Sequence, residues 1–232
     1  FEILRDMQDR HFWYRGRHRF LLGALDRYLP RLKSPYSAID MGGGMGGWVQ
    51  YLVQKRPEIF KQVALADSSL IALEYAKSVL PSTAMRYHID LINLQMKEEW
   101  DVAFLLDVIE HLPDDRRALE QVKEALKPGG ILFVTTPAFP QFWSYNDDMA
   151  QHLRRYRRSD FALLAQDVGL NLLDSRYFMF FLSPLYLLSR MKPRFDKLSE
   201  EAKRELITRQ HQVPSFLINT LLSSVFAIET PL

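Results

Sequence analysis

The chain has no cysteine, almost no net charge and no apolar run long enough to span a bilayer. Without cysteine it can form neither a disulfide framework nor a thiolate-held metal centre, and a cytoplasmic location is the expectation. Thirty Lys and Arg against 28 Asp and Glu leave a net charge of +2, too small a basic excess to demand a nucleic acid partner. The longest apolar stretch, Tyr177 to Ser189, falls short of the roughly 20 residues that a spanning helix needs. No segment reads as a signal peptide. The first residue is Phe rather than Met, so a piece of a longer chain is expected. Glycine is scarce as well, with ten in 232 residues, yet five of these fall between positions 42 and 47.

What is present is the composition of an ordinary globular protein, 47% hydrophobic and 25% charged. The length suits one α/β core with appended helices, and a single domain over 1–232 is expected. Within it, 1–33 reads as N-terminal cap helices, 34–181 as the core and 182–232 as a C-terminal helical appendage. Residues 2–30 place Phe12, Phe20, Leu21, Leu25 and Leu29 at helical spacing, and Pro30 ends the run. Strand-like segments follow at 36–41, 62–67, 84–89, 101–107 and 130–136. Helical patterns near 46–56, 69–79 and 115–126 separate them. That alternation predicts a parallel, doubly wound sheet. The run Asp101-Val-Ala-Phe-Leu-Leu-Asp107 is almost continuously apolar, as a strand buried on both faces should be. Beyond 137 an aromatic and polar loop is expected to 153, then a helix at 158–168 and a strand at about 171–181. Amphipathic helices are expected at 197–210 and 214–228.

The glycines follow directly on the first strand, in Asp40-Met-Gly-Gly-Gly-Met-Gly-Gly47. Glycine tolerates φ > 0 and leaves no Cβ between backbone and ligand, so a strand–helix turn of this kind can seat a nucleotide-like molecule. Gly42, Gly44 and Gly47 satisfy the dinucleotide spacing G-x-G-x-x-G, while Asp40, Gly42, Gly44 and Gly46 satisfy D-x-G-x-G-x-G. Three neighbours favour the second reading. Asp40 stands where a pyrophosphate would lie and suits a cationic group better. Asp67 ends the next strand, where a carboxylate accepts ribose hydroxyls. Ile89-Asp90-Leu91, after the third strand, offers an apolar clamp and an acceptor for an adenine amino group.

Asp40-Met-Gly-Gly-Gly-Met-Gly46, Ala66-Asp67, Ile89-Asp90, Asp107-Val-Ile-Glu-His-Leu112 and Leu126-Lys-Pro-Gly-Gly130 together resemble class I S-adenosylmethionine-dependent methyltransferases. The resemblance spans about 36–181. It is nearest to the small-molecule branch that includes ubiquinone and menaquinone biosynthesis enzymes. It implies a mostly parallel seven-stranded Rossmann-like sheet whose last strand is antiparallel. It also implies S-adenosylmethionine as cofactor. By this analogy Asp40, Gly42, Gly43, Gly44 and Gly46 face the methionine end, Asp67 the ribose and Asp90 the adenine, and Ser68, Leu91 and Asp107 are further cofactor-binding residues.

Methyl transfer from a sulfonium needs alignment and exclusion of water, and a base only if the acceptor must lose a proton; it needs no metal. His111, after the fourth strand, and His152, in the loop after the fifth, are the candidate bases. The same loop carries Trp143, Tyr145 and Tyr156, expected to line the acceptor. Trp13 and Arg17, in the N-terminal His11-Phe-Trp-Tyr-Arg-Gly-Arg17, are expected to cap the cofactor, with Arg17 or Arg15 meeting its carboxylate. Arg154, Arg155, Arg157 and Arg158 form a basic run that reads as a solvated helix start, or as a phosphate dock in an RNA methyltransferase. The segment 178–190 reads as a strand and core helix, or as a wall toward a lipid-like acceptor or a membrane surface. The expected function is methyl transfer to a small, hydrophobic or lipid-like acceptor, at O or N before C. An NAD(P)-dependent oxidoreductase and a partner-binding scaffold are the alternatives.

Overall fold

Five parallel strands frame the chain in the order β3-β2-β1-β4-β5. The structure is a computed structural model and describes residues 7–8, 10–31, 35–190, 199, 201–202, 205 and 212–230. Helix α1 (Phe12–Tyr28) ends in a 3-10 turn, Leu29–Arg31, where Pro30 removes a backbone donor. There follow β1 (Tyr36–Met41), α2 (Gly47–Lys55), β2 (Phe60–Asp67), α3 (Leu70–Ala76), β3 (Met85–His88), β4 (Trp100–Leu106), α4 (Asp115–Ala125) and β5 (Leu126–Thr135). After the sheet come α5 (Tyr145–Met149), α6 (Arg158–Val168), α7 (Ser183–Arg190) and α8 (Phe216–Glu229).

The chain divides into two compact units. The larger comprises 25–138 and 153–175 and holds the sheet. Every residue of β1 is buried, and only Asp101 in β4 is partly exposed. Central parallel strands covered on both faces require this apolar continuity. Phe104 stacks on Phe133 at 5.5 Å and meets Trp48 of α2 edge-on at 5.3 Å. Helix α4 turns Ala118, Leu119, Val122 and Ala125 into the core, and Asp114 caps its start by accepting the Arg117 N–H at 2.8 Å. Burying a Leu or Phe of this core contributes roughly 1.5–3 kcal/mol. The Lys-Pro-Gly-Gly stretch is a bulge within β5. Trp100 pairs with Leu126 but Val102 with Ile131, and Gly129 takes φ 79°.

The smaller unit gathers the described residues of 1–24, 139–152 and 176–232. Here α1 packs on α8. Gly16 lies so close to Phe226 that a Cβ would stand 2.0 Å from its ring. The Asn219 side chain accepts from the Phe12 N–H at 2.8 Å and donates to the Arg10 carbonyl at 2.7 Å. Arg19 donates to the Ser223 carbonyl at 2.9 Å. Phe178 stacks on Phe226 and lies against Phe20. Glu229, nearly buried, accepts the backbone N–H groups of Phe180 and Phe181 at 2.7 and 2.6 Å.

The seven-stranded sheet is not seen in full, and one expected strand is corrected. Among the described residues the sheet has five strands, not seven, and all their pairings are parallel. The strand expected at 171–181 does not form. Asp174 is held by the Tyr28 hydroxyl at 3.0 Å, Leu172 and Leu173 are exposed, and Met179 adopts φ 65°. That backbone is incompatible with an extended ladder. The helix expected at 197–210 lies almost wholly outside the described residues. Among the described residues no helix is long and apolar enough to cross a membrane.

Candidate functional site

The strand order reverses between β1 and β4, and in open α/β sheets that reversal opens a crevice at the C-terminal strand ends. The loops after β1 and β4 meet there. A Cβ on Gly42 would stand 2.7 Å from Val108. The glycine loop is folded back on β2: Gly42 N–H donates to the Ala66 carbonyl at 2.7 Å, and Gly46 N–H to the Gly43 carbonyl at 3.0 Å. Two of its glycines have separate reasons to be glycine. Gly43 lies over the carboxylate of Asp40, where a Cβ would come within 2.3 Å of Oδ2. Gly44 takes φ 57°, and among the described residues nothing lies within 4 Å of where its Cβ would stand. Its bare backbone therefore faces open space.

Asp67 ties this loop to the next strand. Its Oδ2 accepts the Gly44 N–H at 2.8 Å and its Oδ1 accepts the Ser69 N–H at 2.8 Å. The helix cap is Ser69, whose hydroxyl accepts from Ala72, and the Ser68 carbonyl contacts His88 Nε2 at 3.0 Å. A carboxylate has about four acceptor positions, so two backbone bonds leave Asp67 capacity for hydroxyl donors. Asp90 is exposed and its Oδ1 accepts the Ile92 N–H at 3.0 Å, which forms the 3-10 turn Leu91–Asn93. Leu91 is buried in the core cluster, so it supports the turn from below.

Asp107 closes β4 with φ 58°, a conformation that costs a non-glycine residue roughly 1–2 kcal/mol. It is held there by its N–H on the Thr135 carbonyl at 2.8 Å and by the Thr135 hydroxyl on Oδ1 at 3.1 Å. The 3-10 turn Ile109–His111 follows, with Glu110 fully buried and His111 exposed. Tyr156 is buried in the core cluster, and its hydroxyl donates to Asp115 at 2.6 Å. Burial, and then Asp115, push that hydroxyl's pKa well above the usual tyrosine value. Arg154 pairs with Asp115 at 2.9 Å and donates to the Pro113 carbonyl; Arg155 donates to the Ala138 carbonyl at 2.9 Å. These three residues anchor the segment 153–157 to the sheet unit.

The remaining candidates lie in the smaller unit. The Arg17 guanidinium sits 4.7 Å from the Trp13 ring centroid and 5.3 Å from that of Tyr14, and Arg17 is nearly buried. Beside it, burial and the Arg17 charge lower the pKa of His18 to about 3, so its imidazole is neutral. Trp143 is exposed, with its indole N–H on Asp148 at 2.9 Å, and Tyr145 is buried. His152 Nδ1 lies 2.9 Å from Oδ1 of Asp147. Sequence reasoning missed Asp147; the spacing Ser144-x-x-Asp147, a helix-start signature, was the available signal.

The residues of the glycine loop fit S-adenosylmethionine. Positions 39–48 contain no Lys or Arg, and the acidic residues at or next to the C-terminal ends of β1 to β4 are Asp40, Asp67, Asp90 and Asp107. A pyrophosphate would meet carboxylates there, whereas a cationic amino acid joined to a nucleoside meets acceptors. The open backbone at Gly44 gives room for close approach.

Comparisons with known proteins agree. The family description "Methyltransferase domain" matches residues 12–175. Trans-aconitate 2-methyltransferase of Rhizobium leguminosarum bv. trifolii is 32% identical over 100 residues, 43% of this chain and 38% of that one. Ubiquinone biosynthesis O-methyltransferase of Chelativorans sp. is 27% identical over 114 residues, 46% of this chain and 44% of that one. The chain thus spans less than half the length of these relatives. The solved structure of phosphoethanolamine N-methyltransferase 2 of Haemonchus contortus, in complex with S-adenosyl-L-methionine, shares the fold. Its TM-score is 0.60 at 19% identity, covering 81% of this chain and 46% of that one.

Proposed function

This chain belongs to the methyltransferase-domain family, and from that premise we propose that it transfers a methyl group from S-adenosylmethionine to a small acceptor, at O or N. The observation that carries the reading is the hydrogen bond from Gly44 N–H to Asp67, which fixes an acid-lined glycine loop at the strand ends. When bound, S-adenosylmethionine supplies a methyl carbon already activated by a sulfonium. The chain then has to hold the cofactor, orient the acceptor and, for a hydroxyl or ammonium acceptor, take a proton.

Asp67 and Ser68 are assigned to the ribose, Asp90 to the adenine, and Asp40 with the loop backbone to the cationic methionine end. Asp107, rigid at its strained φ, sets the edge of the site. Trp13 and Arg17 are assigned to the cofactor's outer side, and Trp143 and Tyr145 to the acceptor. His152 is the assigned base, with His111 as the second candidate. The relatives named above act, by their names, on trans-aconitate, a ubiquinone precursor and phosphoethanolamine, and the small-molecule reading follows that class. The engagement of Arg154 and Arg155 by Asp115 and backbone carbonyls favours it over docking of RNA phosphates.

One observation favours an apolar acceptor held at a lipid surface. Phe180 and Leu188 are 70% and 67% exposed, and Phe181 and Leu185 are also exposed. The sequence from 176 to 232 holds eight Lys or Arg against five Asp or Glu, an excess that suits anionic headgroups.

The test is incubation of the protein with methyl-labelled S-adenosylmethionine and three probes: trans-aconitate, phosphoethanolamine and 3,4-dihydroxybenzoate. Label in an extracted product supports the reading. Absence of S-adenosylhomocysteine formation with every probe, together with no cofactor binding, overturns it.

A further inference from the structure

Helix α8 (Phe216–Glu229) is turned inside out. Its buried residues are Asn219, Ser223, Phe226 and Glu229, three of them polar. Each of the three is bonded within the smaller unit. Asn219 bridges the Arg10 carbonyl and the Phe12 N–H at the start of α1. Ser223 accepts from Arg19, and Glu229 accepts the N–H groups of Phe180 and Phe181. The opposite face is apolar. Phe216 and Leu217 are 81% and 78% exposed, and Ile218, Leu221 and Ile228 are exposed as well. Leu217, Leu221, Ser224 and Ile228 recur at i, i+4, i+7 and i+11, which places them on one stripe. The helix has a single charged residue, Glu229, and it faces inward.

A helix that meets water carries its charges outward and its apolar stripe inward. The reverse suits hydrocarbon surroundings, where polar groups must be satisfied within the protein. The exposed Ser224 follows the same rule, its hydroxyl donating to the Thr220 carbonyl one turn back at 2.9 Å. A span is excluded by length. Fourteen residues rise about 21 Å against roughly 30 Å of hydrocarbon, so α8 suits a position along a bilayer surface.

The neighbouring sequence supplies the complementary charge. Residues 190–197, from the end of α7 onward, hold Arg190, Lys192, Arg194 and Lys197 against Asp196 alone. A basic cluster beside apolar helices matches anionic headgroups. A second copy of the chain would bring a second such cluster, and like charges disfavour that pairing. Glu229 also fastens the exposed Phe180 and Phe181 to the C-terminal end of α8, which widens the apolar surface.

We propose that α8 lies in the surface of an anionic bilayer, with Leu217, Leu221 and Ile228 among the acyl chains. Asn219, Ser223 and Glu229 fasten it to the protein. The segment 180–188 then acts together with α8, and α8 is the element that enters the hydrocarbon. The proposal goes beyond methyl transfer and does not depend on it.

Because the chain has no cysteine, one introduced thiol carries a label without background. Leu221→Cys and Lys77→Cys, each made in the full chain, are labelled with an environment-sensitive fluorophore. Vesicles of equimolar phosphatidylcholine and phosphatidylglycerol are the probe, and the exposed Lys77 of the sheet unit is the reference position. The label at 221 should shift to the blue and be quenched by lipids brominated in their acyl chains, while the label at 77 does neither. Combined Leu217→Ser, Leu221→Ser and Ile228→Ser should weaken vesicle partitioning on the order of 100-fold or more. These side chains are exposed, so the urea midpoint should stay at the wild-type value. If that midpoint falls, the quenching at 221 in the otherwise unaltered chain decides. Absence of quenching at 221 overturns the proposal, as does partitioning that a folded triple variant retains. A label at 221 that responds to protein concentration and not to lipid also overturns it, and assigns the face to pairing of two copies. Failure of the wild type to bind S-adenosylhomocysteine is a separate outcome that touches the methyltransferase reading and leaves α8 as it is.

Discussion

Asp67 accepts from the glycine loop with one oxygen and from the start of the next helix with the other. Its removal therefore unties the loop and takes away the acceptor assigned to ribose. Charge-assisted bonds of this kind are worth about 1.5–3 kcal/mol, so Asp67→Ala should weaken S-adenosylhomocysteine binding by roughly 10- to 100-fold in calorimetry. Unchanged affinity would remove Asp67 from the site. His18 carries a second residue-scale prediction. Its folded pKa of about 3 lies below the ordinary 6.5. Below pH 6.5 the unfolded chain takes up a proton that the folded chain refuses, so stability is full above 6.5 and is lost as pH falls toward about 3. Urea unfolding at about pH 5 and about pH 7.5 should show this loss, and His18→Gln should reduce the difference. Asp40, the glycines and Asp67 could be read from the sequence because a strand, a turn and an acidic strand end are local patterns. The anchoring of Tyr156 on Asp115 could not, since an aromatic within a run of arginines does not reveal which way it turns.

At the scale of elements, the pairing of α1 with α8 is the feature with the clearest energetic consequence. Phe226 is fully buried against Gly16, and Phe226→Ala should cost about 3–5 kcal/mol. Gly16→Ala should also destabilise, because its methyl would enter the Phe226 ring. In the double variant that methyl occupies space the ring has vacated. The combined loss should therefore be smaller than the sum of the single losses in denaturant unfolding. Strict additivity would show that the two helices do not pack this way. The sheet elements β1 to β5 were legible because buried parallel strands read as apolar runs between helical patterns. The helix pair was not, since its partners lie at opposite ends of the chain and no local periodicity links them. The strand expected at 171–181 failed for a related reason. Its apolar residues suited a ladder, but Asp174 and Phe178 are engaged by long-range partners.

For the whole molecule, the exposed Phe180, Phe181, Leu185 and Leu188 and the basic excess beyond 176 predict association with an anionic lipid surface. The protein should cosediment with vesicles of phosphatidylglycerol and phosphatidylcholine, more weakly as salt rises, and Phe180→Ser with Leu188→Ser should abolish it. Cosedimentation that ignores both variants would place any lipid contact elsewhere. The central claim is that the acid-lined loop seats S-adenosylmethionine rather than a dinucleotide, and calorimetric titration of the full chain tests it most directly. Saturable, micromolar-range binding of S-adenosylhomocysteine with no heat from NADH is the expected result. Binding of NADH with silence toward S-adenosylhomocysteine would contradict it.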